Sequence, residues 1–153
     1  MLKIQHALFF LIILLTASCQ TATPPPDLTV TEGDEFTLTT GQAATLAASN
    51  LTVKLVGVSG DDRCPSEIEC AVSGPVAFSL TAQKDSAEPA TLNMQTFTDQ
   101  DGHSPTMEFE GIHDRIEYEG YLIRVVSVLP YPRTREDKIN ADEYRLTLIV
   151  SKL

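Results

Sequence analysis

The chain has 153 residues, of which 11 are basic and 21 acidic, for a formal net charge of −10. So acidic a balance argues against nucleic acid or anionic lipid as a partner of the protein surface and leaves cationic partners and divalent ions open. With 42% hydrophobic residues the length suits one domain around one core.

The N-terminus reads MLKIQHALFFLIILLTASCQ. Lys3, an unbroken apolar run from Ala7 to Leu15 and the small residues Ala17 and Ser18 are laid out as in a secretory signal peptide. The run falls short of the ~20 residues that a membrane-spanning helix needs. Residues 1–18 are therefore expected to direct export. The stretch Leu15-Thr16-Ala17-Ser18-Cys19 resembles the bacterial lipobox, with Thr16 standing where Leu is usual. That resemblance implies cleavage before Cys19 and a covalent lipid on its thiol and new amine; no other cofactor is expected. The alternative is ordinary cleavage near Ser18, which leaves Cys19 a free thiol.

Cysteine arithmetic bears on the same point. The chain has three cysteines, and an odd thiol is a liability in an oxidising compartment. Lipid on Cys19 removes it and leaves Cys64 to pair with Cys70. Two or three acyl chains, at about 0.8 kcal/mol per buried CH₂, hold a domain to a bilayer. The expected address is the outer face of the cell membrane or, where there is one, the outer membrane. The membrane would be engaged through the anchor alone, because loss of Lys3 leaves a mature chain of about −11.

After the cysteine comes QTATPPPDLTVTEGDE. Pro24, Pro25 and Pro26 favour extended polyproline II, so residues 19–33 are read as a lipid-anchored, Pro-rich stalk and residues 34–153 as the domain. From residue 35 onward the apolar period is two. Leu51, Val53 and Leu55 alternate with Thr52 and Lys54; Val76, Phe78 and Leu80 with Ala77 and Ser79; Tyr144, Leu146, Leu148 and Val150 with Arg145 and Thr147. Each run has one apolar and one polar face, as half-buried strands do. Tyr121 to Leu129 is apolar on both faces apart from Arg124 and Ser127, which predicts a central strand. Turn signals separate the runs, among them Thr40-Gly41, Ser49-Asn50, Gly60-Asp61, Gly74-Pro75, Asp101-Gly102 and Glu119-Gly120. Arg135 to Asp142 could form one helical turn. About eight short strands at this spacing predict an all-β fold, an antiparallel β-sandwich or open barrel.

The stretch FTLTTGQAATLAASNLTVKLVGVSGDDRCPSEIEC, residues 36–70, resembles an uncharacterised family of bacterial secreted proteins and lipoproteins. The match rests on Gly41-Gln42, on the D-x-R-C-P-x4-C loop formed by Asp62-Arg63-Cys64-Pro65 and Cys70, and on closing strands around Gly120-Tyr121 and Tyr144-Arg145-Leu146. Val72 and Ser73 depart from the Trp and Ala usual there. The resemblance implies a small β-rich exported domain and carries no activity with it.

Three stretches could carry chemistry. In GDDRCPSEIECAVSG the cysteines lie farther apart than zinc pairs usually do, and a thioredoxin-type site would need Cys-x-x-Cys. A disulfide strap is the reading that remains, worth about 2–3 kcal/mol for so short a loop. Arg63 is expected to pair with a neighbouring carboxylate, Asp62 in the loop motif or Asp61 beside it, and so to pin the loop. In FTDQDGHSP, Asp99 and Asp101 resemble the start of a calcium loop but lack its later oxygen donors, so they remain candidates for a divalent ion only, with Glu108 and Glu110 nearby on one strand face. A hydrolase would have to use His103 or His113, and no G-x-S-x-G elbow accompanies either. No catalytic residue is assigned. The expectation is a non-enzymatic, membrane-anchored envelope lipoprotein whose domain binds an envelope partner, with a small exported hydrolase and a divalent-cation binder as alternatives.

Overall fold

The computed structural model describes residues 25–153. The expected signal peptide, Cys19 and the expected stalk as far as residue 24 lie outside the described residues. Nine strands form: β1 (Leu28–Val30), β2 (Glu35–Thr39), β3 (Ala43–Leu46), β4 (Leu51–Asp61), β5 (Val76–Lys84), β6 (Ala90–Thr96), β7 (Arg115–Tyr118), β8 (Tyr121–Leu129) and β9 (Arg145–Lys152). They make a five-stranded sheet in the order β1-β3-β4-β5-β6 and a four-stranded sheet in the order β2-β9-β8-β7. This is the all-β sandwich expected from the period-two runs, built as two open sheets rather than a barrel.

The alternation does the folding. Leu51, Val53 and Leu55 on β4, Val76, Phe78 and Leu80 on β5, and Ile123 and Val125 on β8 are buried to 1% exposure or less. Leu146, Leu148 and Val150 on β9 complete the opposite face of the same core. Burying side chains of this size contributes about 1.5–3 kcal/mol each before entropy is counted. β8 lies inside its sheet between β9 and β7, as its apolar run implies.

Two sequence expectations need correction. Leu28–Val30, read as stalk, is instead an edge strand paired in parallel with β3, Leu28 opposite Ala44 and Val30 opposite Leu46. Its alternating Leu and Val are enough to dock against β3, and two polar contacts fix the approach: Asp27 Oδ1 accepts the Ala43 N–H at 3.1 Å, and buried Gln42 donates from Nε2 to the Pro26 carbonyl at 2.7 Å. The domain therefore begins before residue 34. Arg135 to Asp142 forms no helical turn. Asp137 caps backward instead, accepting N–H groups of Arg133 and Thr134 at 2.9 Å each, which holds the segment as a loop.

The connections are divided between the two ends. At one end they are short: 47–50, 85–89 and 119–120, with Asn50, Asp85 and Glu119 at positive φ. At the other lie three long ones, 62–75, 97–114 and 130–144. Asp61 pairs with Val76 and Val76 with Thr96, which puts the first two together, and Leu129 pairs with Arg145 at the base of the third. Every residue singled out for chemistry in the domain sits on these three connections, except Asp61, which ends β4 at the base of the first.

Candidate functional site

Arg63 lies two residues past the end of β4 and is 3% exposed, its side chain not at all. Nε and Nη2 donate to the two carboxylate oxygens of Asp61 at 2.7 and 2.6 Å. Nη1 donates to the Val128 carbonyl and Nη2 to the Pro130 carbonyl, each at 2.8 Å. The guanidinium carbon stands 4.9 Å from the centre of the Tyr131 ring. A planar fork with five donors is the one cationic side chain able to serve a carboxylate and two carbonyls at once.

The partner is Asp61 and not Asp62, which corrects the expected pairing. Strand parity explains it: residues 61 and 63 point to one side and residue 62 to the other. Asp62 is exposed, and its backbone continues the ladder instead, its N–H to the Pro75 carbonyl at 3.1 Å and its carbonyl accepting Gly74 N–H at 2.9 Å. Gly74 is required there, because a Cβ would lie 2.6 Å from the Asp62 Cβ.

Cys64 and Cys70 are joined by a disulfide with Cα atoms 6.0 Å apart, an ordinary span for the bond. The strapped loop then docks on the segment after β8. Ser66 N–H bonds the Pro132 carbonyl at 3.0 Å and Glu67 N–H the Arg133 carbonyl at 2.9 Å. Tyr131 donates its hydroxyl to the Cys64 carbonyl at 2.8 Å, and Arg133 pairs with Glu67 at 2.5 Å on the surface. What projects is the stretch Glu69 to Val72, all of it exposed, with Val72 at 82%.

Sequence reasoning missed Asp61 as the chosen partner, together with Tyr131 and Tyr144. Tyr144, 6% exposed at the base of β9, donates its hydroxyl to Asp61 Oδ2 at 3.0 Å. Burial, and then the Asp61 charge, push its pKa up to about 12. The local parity of residues 61 and 63 was the available signal for Asp61; the tyrosines lie 67 and 83 positions from their partners, beyond any local pattern.

A second cluster occupies 97–105. Asp99, Asp101 and His103 bring one ligand atom each within 4.8 Å of one another, all three exposed. Asp99 Oδ1 accepts the N–H groups of Asp101 and His103 at 3.0 and 2.8 Å, and its Oδ2 lies 3.6 Å from His103 Nδ1. Gly102, at φ +83°, packs its Cα against Leu129 so closely that a Cβ would meet the Leu129 side chain at 2.7 Å. Beside the turn is a shallow groove of about 340 Å³ between Phe97, Pro105 and Phe109, with Asp99 and His103 on its wall. His103 was not foreseen as a third ligand. Glu108 and Glu110 do not share a strand face as expected: they lie in a loop, and Glu108 pairs with Arg115 at 3.0 Å. His113 is exposed and uses its carbonyl to accept Gln95 N–H at 3.1 Å.

No protein-family model, curated protein or solved structure matches the chain.

Replacing Arg63 by Met leaves the half-buried Asp61 beside Tyr144 without its cation and should cost about 3 kcal/mol in urea unfolding. Arg63→Lys should rescue less than half of that, because a point charge cannot reach both carbonyls and the carboxylate. Alkali tests the same cluster. The unfolded Tyr144 releases its proton near pH 10.0, its ordinary value, whereas the folded one holds it to about 12. The stabilisation is therefore complete below pH 10 and is lost as pH rises toward 12. Tyr144→Phe should be visibly less sensitive across that interval than the parent chain, as read by chemical denaturation at fixed ionic strength.

Proposed function

We propose that the chain is an exported lipoprotein, anchored to the cell membrane or outer membrane through Cys19, whose domain is a non-catalytic binding module of the cell envelope. The binding surface is the end carrying the three long connections, and its centre is the Cys64–Cys70 loop. The observation that carries this reading is the contrast within that loop. Arg63 is fully buried and spends four hydrogen bonds on holding the loop's base, while Val72 at its tip is 82% exposed. A rigidly held loop loses little entropy when a partner covers it, which is how scaffolds present recognition residues. The lipobox resemblance and the bilayer distance offered by the Pro24–Pro26 run support the anchoring half of the proposal.

The test has two readouts on the full chain made in a bacterial host. Intact mass of the membrane-extracted protein should exceed that of residues 19–153 by acyl groups. A photo-cross-linking residue at Val72 should trap one discrete envelope partner, and the same residue at Lys84, on the far end, should trap none. An unlipidated mass removes the anchor; equal labelling from both positions removes the binding surface.

A second reading, divalent-cation binding, is favoured by the convergence of Asp99, Asp101 and His103. A nitrogen among the donors suits zinc-like ions better than calcium. Millimolar zinc should then raise the melting temperature by a few degrees, and His103→Ala should abolish the rise. Indifference to the ion ends this reading.

A further inference from the structure

Two large apolar side chains of the 97–114 connection stand in solvent, Met107 at 66% exposure and Phe109 at 42%. The Phe109 ring meets that of Phe97 edge to face, with centroids 5.4 Å apart. With Pro105 the two rings wall the shallow groove of about 340 Å³ beside Asp99 and His103. That volume is at the low end for a ligand pocket and gives room for one long side chain. The walls are held in place. Asp99 N–H bonds the His103 carbonyl at 3.0 Å, Gly102 N–H the Asp99 carbonyl at 3.0 Å and Val128 N–H the Gly102 carbonyl at 2.8 Å. Ser104 N–H reaches the Val126 carbonyl at 2.8 Å, and its hydroxyl lies 2.6 Å from that of Thr96. A guest therefore meets a preformed groove and spends little entropy on ordering it.

One side of the groove is acidic, with acceptors to spare. Asp99 Oδ1 is taken by two N–H groups, but Oδ2 has only His103 Nδ1, at 3.6 Å, too far for a hydrogen bond. The Asp101 carboxylate lies within 4.8 Å of the Asp99 and His103 ligand atoms and has no ion-pair or hydrogen-bond partner among the described residues. Arg115, the cation of this connection, is already taken by Asp114 and Glu108. Thr98 also lines the groove, and its hydroxyl is buried without a partner among the described residues, an acceptor left unmet.

We infer that this groove takes an arginine side chain of the envelope partner, an inference that rests on the reading of this end as a binding surface. Apolar walls beside unpaired carboxylates match a side chain with an apolar stem and a cationic head. The stem lies along Phe97, Pro105 and Phe109, and the guanidinium reaches Asp99 Oδ2 and the Asp101 carboxylate, with donors to spare for Thr98 Oγ1. Arginine fits better than lysine. Its planar fork can serve two carboxylates at once, its face stacks on a phenyl ring, and it is the more weakly hydrated of the two cations. The charge of the whole molecule agrees, since a chain at −10 draws a cationic partner toward it.

Amide NMR of the full chain in detergent micelles tests this, with a short blocked peptide carrying one arginine between two leucines as the probe. The expected result is saturable shifts at Gly102, His103 and Phe109. Citrulline in place of the arginine keeps the shape and removes the charge, and should weaken binding at least about tenfold. The lysine peptide should also bind more weakly. Asp101→Ser should weaken binding with the melting temperature unchanged, because that carboxylate holds no other group. Glu110→Gln, which removes an exposed charge beside Phe109 but outside the groove lining, should leave binding unaltered. His103→Ala should remove any response to zinc and leave the peptide bound, which separates this inference from the cation reading. Loss of cross-linking at Val72 counts against the binding surface as a whole, whereas an inert groove beside intact cross-linking counts against the arginine alone. The inference is overturned by the absence of a saturable shift, by equal binding of the citrulline or lysine peptide, or by equal losses from Asp101→Ser and Glu110→Gln.

Discussion

Arg63 is a full positive charge taken out of water, and the end of the sandwich is arranged around keeping it satisfied. The carboxylate of Asp61 comes from β4 in one sheet, and the carbonyls of Val128 and Pro130 come from the exit of β8 in the other. Tyr144, at the entrance to β9, braces the carboxylate from the far side. One side chain therefore joins the two sheets by polar contacts at a point where the apolar core has ended. Coulomb attraction alone would not favour such a burial, because desolvation costs several kcal/mol per ion. The compensation is geometric: four of the five guanidinium donors have partners, and the ring of Tyr131 covers a face of the cation. What the pair adds is direction, since four bonds of fixed geometry tie the start of the 62–75 segment to both sheets.

The disulfide acts on a different part of the same problem. Arg63 fixes where the loop begins, and the bond between Cys64 and Cys70 limits what the next residues can do once they leave. Their effects are separable because one lies in the folded state and the other mainly in the unfolded one. Loss of the cation leaves a half-buried carboxylate with no counter-charge. Loss of the disulfide enlarges the unfolded ensemble while the docking bonds from Ser66 and Glu67 to the 132–133 backbone persist.

Most of the sandwich was legible because one of its signals is strictly local. Alternation along Val76 to Leu80 or Tyr144 to Val150 states which face is buried, whatever the partner strand. Length and turns then give a strand count close to the nine found. β1 was lost because three residues following a proline run carry too little periodicity to separate a strand from a stalk; only the presence of β3 beside it decides. The site was half legible. Cys64, Cys70 and Arg63 stood out by type and spacing, and Asp61 could have been chosen over Asp62 by parity. The contributions of Val128 and Pro130 are backbone carbonyls, which leave no mark in a sequence at all. Asp99 and Asp101 were visible as spaced carboxylates, whereas His103 joined them only because the turn at Gly102 folds back against Leu129.

The distribution of the few basic residues explains how so acidic a chain holds its long connections. Three of the arginines work as staples at this end of the molecule. Arg63 fixes the base of 62–75, Arg133 ties that loop to 130–144 through Glu67, and Arg115 gathers Asp114 and Glu108 around the third connection. The pairs differ in how they answer to salt. Arg133 and Glu67 are 74% and 48% exposed, so ions screen them and their worth is small. Arg63 is closed off from solvent, and screening does not reach it. Rising ionic strength should therefore loosen the outer docking of the loop before its base, so that the tip around Val72 gains freedom while the join between the sheets holds. The surplus of carboxylates is left to the solvent. It sets the sign of the surface that any partner of these loops must meet, and such a partner is best matched by a cationic face.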